Sequence, residues 1–183
     1  MKKILTLITF TLFLLNNVNA QKMYVWCPKP LNPVADTEQL SGIKVNVLVK
    51  DSRLLSGKIK NKCTSEQLVN SLFKLIKAKY PSATISKISS KKNQSENCQV
   101  LIEINITAYY ATFTSPMWYA QVDYSLKIND YRGEETITHN TDIHKEKKFF
   151  NMGGFKTAQN NLNKSYIEAN TVLLDFIADK LNN

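Results

Sequence analysis

The chain of 183 residues is poor in the side chains that do chemistry, with two histidines, two arginines and three cysteines. No G-x-S-x-G elbow, C-x-x-C pair or Cys–His spacing occurs anywhere in it, which removes the common hydrolase, thiol-redox and zinc-ribbon designs. His139 and His144 stand five positions apart, and on a strand that spacing turns them to opposite faces. They do not share a metal. Glu134 and Glu135 adjoin a turn and read as solvated. The expectation is a protein that is not an enzyme and needs no cofactor or metal. The scarcity of arginine also argues against nucleic acid, whose readers lean on guanidinium forks. The positive charge, formally +9, is otherwise carried by lysine. That reads as a solvated surface with some attraction to anionic lipid or cell-wall polymer, so peripheral membrane contact is admitted.

Long apolar runs are equally scarce. The single example, Ile4 to Leu15, follows Lys2 and Lys3 and precedes the small-residue site Val18-Asn19-Ala20. Twelve residues fall short of the roughly twenty that cross a bilayer. This is the pattern of a secretory signal peptide over 1–20, cleaved after Ala20. The product is then exported, periplasmic or secreted, and not lipidated, because no cysteine closes the apolar run. Residues 21–41 hold three prolines and no periodicity, and read as an extended N-terminal arm. Residues 42–183 read as a single domain.

What is present is alternation. Ile43, Val45, Val47 and Val49 share one face of a strand, opposite Lys44, Asn46 and Lys50. A polar loop follows, and then a helix capped at Thr64 or Ser65, with Leu68, Leu72, Leu75 and Ile76 on its apolar stripe and Pro81 as its stop. A short strand covers 84–88. Strands then open at Val100 and near Trp118, and a weaker one runs from Glu135 to about Lys147. After the Gly153-Gly154 hinge a helix from about Lys156 to Leu181 carries Leu162, Tyr166, Ala169, Leu173, Phe176 and Ile177 on one stripe. The fold expected is α+β, a two-layer sandwich of four to five antiparallel strands with two helices on one face.

Export favours oxidised cysteines, and an odd count leaves one over. The strand after the first helix is expected to run back along it and bring Cys98 to the helix start. That predicts a Cys63–Cys98 disulfide, with Cys27 unpaired.

The segment AYYATFTSPMWYA, from Ala108 to Ala120, packs five aromatic side chains into thirteen residues. Unbroken alternation puts Tyr110 and Trp118 in the core and turns Tyr109 and Tyr119 to the opposite face. Phe113 and Met117 fall in a TFTSPM loop. Tyr109, Phe113, Met117 and Tyr119 are therefore the candidate binding residues, since burial does not account for them.

The order of elements, with a first strand closing on Val49-Lys50-Asp51-Ser52-Arg53, resembles the YajG-like envelope proteins and the auxiliary lipoproteins of ABC-type transport systems. The resemblance implies a non-catalytic accessory of the cell envelope. The function expected is an exported binding or accessory protein of the bacterial envelope, whose partner is an envelope protein or cell-surface component. A secreted interaction protein, such as an inhibitor or adhesion component, is the alternative. Asp51 and Arg53 themselves read as an exposed ion pair.

Overall fold

The computed structural model describes residues 22–54 and 59–182; the signal segment 1–20 lies outside the described residues. Its strands are β1 (Met23–Trp26), β2 (Lys44–Asp51), β3 (Ile59–Lys62), β4 (Thr84–Lys87), β5 (Val100–Thr114), β6 (Met117–Asp130) and β7 (Ile137–Phe150). Its two long helices are α1 (Ser65–Lys79) and α2 (Gly154–Leu181). Thr64 caps α1 through a full capping box, its side chain accepting from the Gln67 amide while the Gln67 side chain accepts from the Thr64 amide.

The fold is α+β, and the sheet is larger than alternation alone suggests. It has seven strands and mixed direction. β5, β6 and β7 form an antiparallel meander, but β2 lies parallel to both β4 and β5, and β1 lies parallel to β3. The segment expected to be an extended arm supplies a strand, β1, within it. β5 is long enough to hold two neighbours on one side, β2 against Val100 to Ile106 and β1 against Ala111 and Thr112. β7 is an edge strand, pairing only with β6. Its lysines at 145, 147 and 148 disfavour pairing with a foreign strand.

The apolar stripes of both helices close the core against one face, with Leu68, Leu72, Ile76, Leu162, Leu173 and Ile177 essentially inaccessible. The opposite face is open along β6 and β7. At the β2 end it is covered by the β4–β5 connection, so that Leu48, Ile88 and Leu101 form a second small cluster.

A bulge divides β5. The register with β6 shifts between Ile106 and Ala108, leaving Thr107 as one extra residue. Because side chains alternate with period two, one inserted residue exchanges the two faces beyond it. Tyr109 is consequently in the core at 1% exposure, where the expectation had Tyr110. Its hydroxyl donates to the Trp26 carbonyl at 2.9 Å, and its ring meets Tyr166 of α2 edge-on. Tyr110 is half-buried on the other face, donating to Gln121 at 2.7 Å. β6 carries no bulge, and Trp118, Ala120, Val122, Tyr124, Leu126 and Ile128 all face the core as their alternation predicts.

The disulfide is also different from the one expected. Cys63 pairs with Cys27, 36 residues away, and Cys98 is the free thiol. β4 runs parallel to β2 from Lys44 onward, and the chain then returns to pair Val100 with Val45. Cys98 thus lies by the start of β2, close to where α1 ends, about 22 Å along the helix from Cys63 at 1.5 Å per residue. The β1–β3 register places Trp26 opposite Lys62, which brings Cys27 to Cys63. In the chain-entropy account, closing such a loop stabilises by about 4 kcal/mol. Peptide mapping of unreduced exported protein should recover a Cys27–Cys63 cross-link and a single alkylatable thiol at Cys98. A Cys63–Cys98 cross-link would overturn that pairing.

Candidate functional site: the tip of the long hairpin

β5 and β6 meet in a tight turn at Ser115 and Pro116, joined by a cis peptide bond. Phe113 and Met117 are therefore strand residues and not loop residues. Phe113 is half-buried on the helix side, its ring 5.2 Å from Trp118. Met117 and Tyr119 lie half-exposed on the open face, opposite Phe150 and Lys148 of β7. Lys148 sits over the Tyr119 ring at 5.5 Å and also bonds Glu146 at 3.1 Å. Of the four candidates, Phe113, Met117 and Tyr119 gather at the hairpin tip. Tyr109 does not: it is buried deeper in the sheet, and burial pushes its phenol well above the ordinary value.

The structure adds three residues that alternation did not single out. Phe150, Met152 and Phe155, in the FFNMGGF segment that carries the end of β7 into the start of α2, are 63%, 94% and 55% exposed. They are held and not trailing. The Asn151 amide donates to the Pro116 carbonyl at 3.2 Å, and the Trp118 indole donates to the Asn151 side chain at 3.0 Å. Gly154 then turns the chain into α2 at φ 57°, a conformation that side chains disfavour. Behind this turn stands an aromatic cluster, in which Phe155 lies 5.0 Å from Tyr24 and 5.8 Å from Trp118, and Tyr24 stacks on Trp26. Tyr24, Trp26, Phe155, Lys60 and Lys62 line a shallow hollow of about 200 Å³. The legible signal was an unusual run of bulky apolar residues beside two glycines.

Two other polar arrangements were candidates for chemistry. On the open face Tyr110, Gln121, Asp123 and His144 form a chain of hydrogen bonds, with His144 Nδ1 2.7 Å from Asp123. No group of three or more metal-binding side chains converges among the described residues. Asp51 and Arg53 are not an exposed pair, since their side chains are 7% and 2% exposed. Arg53 Nε and Nη2 donate to the two carboxylate oxygens at 2.7 and 2.6 Å, and Nη1 donates to the Tyr109 carbonyl at 3.3 Å. The guanidinium thus serves β5 in the gap between β2 and β1. The chain's other arginine repeats the device: Arg132 grips Asp130 and donates to the Leu181 carbonyl, tying β6 to the end of α2. Both Asp-x-Arg motifs are structural fasteners. A cleft of about 450 Å³ also lies between the arm and α1, lined by Cys27, Pro28, Leu31, Gln67, Asn70 and Lys74 among others.

No protein-family model matches the chain, and no curated protein matches it. Several solved structures are similar in outline. A candidate neuraminyllactose-binding hemagglutinin homolog from Helicobacter pylori shares 12% identity over 81% of this chain and 88% of its own, with a TM-score of 0.49. A lipoprotein from Neisseria meningitidis shares 12% over 75% and 99%, at 0.39. The dodecameric PelC from Paraburkholderia phytofirmans shares 11% over 73% and 91%, at 0.40. Likenesses this distant carry no argument about activity.

Proposed function

We propose that the protein is an exported, non-catalytic binding or accessory protein of the bacterial cell envelope, and that it acts by contact through the hairpin tip. The observation that carries this reading is the tip itself. Three large apolar side chains stand in solvent on a turn fixed by backbone and indole hydrogen bonds. Exposed apolar groups clustered on a rigid support mark interaction surfaces, whereas scattered ones are ordinary. The disulfide that pins the arm suits an oxidising compartment, and the signal-like N-terminus suits export.

The test is fractionation of cells expressing the protein. The wild type is expected in the envelope fraction, and Phe150→Ser with Met152→Ser is expected to release it to the soluble exported fraction without change in its melting temperature. Identical partitioning of the two proteins would sink the reading. Recovery of wild type from culture medium alone would favour a secreted interaction protein.

A further inference from the structure

We propose that the hairpin tip docks on an anionic phospholipid surface, inserting Phe150, Met152 and Phe155 among the headgroups while a collar of lysines meets the lipid phosphates. The proposal rests on the contact role given to the tip above, and it names the partner. Its first support is charge. The segments at this end and along the flank behind it, residues 22–26, 60–62, 112–119 and 148–156, contain Lys22, Lys60, Lys62, Lys148 and Lys156 and not one acid. With Lys2 and Lys3 set aside, the chain has 22 cationic side chains against 15 acids, an excess of seven. Five of those seven charges fall within these short segments. The remaining 17 cations and 15 acids nearly balance. The nearest acid is Glu146, on β7 beside the collar, and it is bonded to Lys148. An end of one sign with apolar groups at its apex matches an anionic interface, where each lysine close to the surface contributes on the order of 1 kcal/mol of attraction.

The second support is the arrangement of the apolar groups. Met117 and Phe150 are cross-strand neighbours on the open face, Met152 is almost fully exposed between β7 and α2, and Phe155 lies against the aromatic cluster. A flat protein partner would need a matching hollow for each. A bilayer interface needs only bulky apolar groups at a common end, with aromatic rings and lysine stems at headgroup depth. No helix among the described residues is long and apolar enough to cross a membrane. A soluble polyanion would use the same lysines but would have no use for the Phe and Met side chains.

The experiment is vesicle sedimentation of the oxidised chain from residue 21 onward, using phosphatidylcholine alone and phosphatidylcholine with about a third phosphatidylglycerol. Binding is expected only to the anionic vesicles, weakening as sodium chloride is raised and blue-shifting tryptophan emission from Trp26. Phe150→Ser, Met152→Ser and Phe155→Ser together should lower the partition coefficient by about ten- to a hundredfold, from the transfer of partly inserted side chains. Lys60→Gln with Lys62→Gln should remove much of the salt-dependent part. Ile137→Ser tests an exposed apolar residue at the far end of β7, about 43 Å away along the strand at 3.3 Å per residue, and should leave binding unchanged. Absence of binding to anionic vesicles overturns the proposal, as does an unaltered triple variant. Lysine dependence without Phe and Met dependence assigns the tip to a soluble polyanion and also overturns it. If the tip variants leave the envelope in cells while the wild type ignores pure lipid, the contact role stands and the lipid assignment falls.

Discussion

Arg53→Ala is expected to lower the unfolding free energy by about 3–5 kcal/mol, the cost of leaving one partner of a buried ion pair alone. Arg53 is the more enclosed of the two side chains and holds three groups at once, the two carboxylate oxygens of Asp51 and the Tyr109 carbonyl. Without it, that carbonyl has lost a donor at the bulge, and the carboxylate keeps its burial without its counter-charge. The effect should depend on pH in a definite direction. Burial pushes the Asp51 carboxyl up, but hydrogen bonds from Arg53 and Ser65 and the Arg53 charge outweigh it, so the group sits below the ordinary carboxylate range. A depressed carboxyl contributes stability that is full above its unfolded pKa, about 4, and is lost as pH falls through the lower folded value. In the variant the burial remains and the partner does not, so acid relieves the penalty. Urea titrations should show the gap between wild type and Arg53→Ala narrowing from pH 7 to pH 3. A second check is Asp51→Ala with Arg53→Ala, which should be less destabilised than the two single changes summed. A loss under about 1 kcal/mol, the range of exposed pairs, would mean the pair is solvated after all.

That pair illustrates what the sequence could and could not disclose. Asp-x-Arg at a strand end looks the same whether it is exposed or enclosed, and only the two-neighbour arrangement on β5 decides it. Elements whose signal is local were legible. α1 announces itself by Thr64, Gln67 and a four-residue stripe, and α2 by Leu162 through Ile177. β6 alternates from Met117 to Ile128, and the phase of its apolar face is the expected one. β1 and β3 are four residues each, without alternation long enough to count, and they are strands because each completes the other beside β5. Strand propensity is weak where partners decide. The Cys27–Cys63 pairing is hidden for a related reason. β4 does run back along α1, but β5 is parallel to β2 and opens level with Val45, so the chain retraces β4 and leaves Cys98 by the end of α1 and not its start. At the tip, Phe113, Met117 and Tyr119 were legible as unexplained aromatics and methionine. Phe150, Met152 and Phe155 lie around the Gly153-Gly154 hinge, past the strand and before the helix that periodicity defines, and only the turn that joins β7 to α2 presents them together.

Tyr109→Ala is expected to destabilise by about 3–5 kcal/mol, as buried aromatic truncations do, whereas Tyr110→Ala should cost roughly 1 kcal/mol. The two residues are adjacent and identical, so intrinsic propensity cancels and only placement separates them. Tyr109 loses a fully enclosed ring, its edge contact with Tyr166 and its bond to Trp26. Tyr110 loses a half-exposed ring and one bond to Gln121, and water can replace that bond. Tyr109→Phe removes the hydroxyl alone and should cost about 1 kcal/mol, which assigns most of the alanine effect to the ring. Unbroken alternation from Val100 predicts the reverse order, with Tyr110 critical and Tyr109 dispensable. Denaturant melts of the two alanine variants therefore report on a single inserted residue, Thr107, without touching it. If Tyr110→Ala is the more damaging change, the bulge is not where the register places it, and the faces of β5 beyond Ile106 must be exchanged. If the two losses are equal, both faces are covered at this level and the open face of the sheet begins nearer the tip.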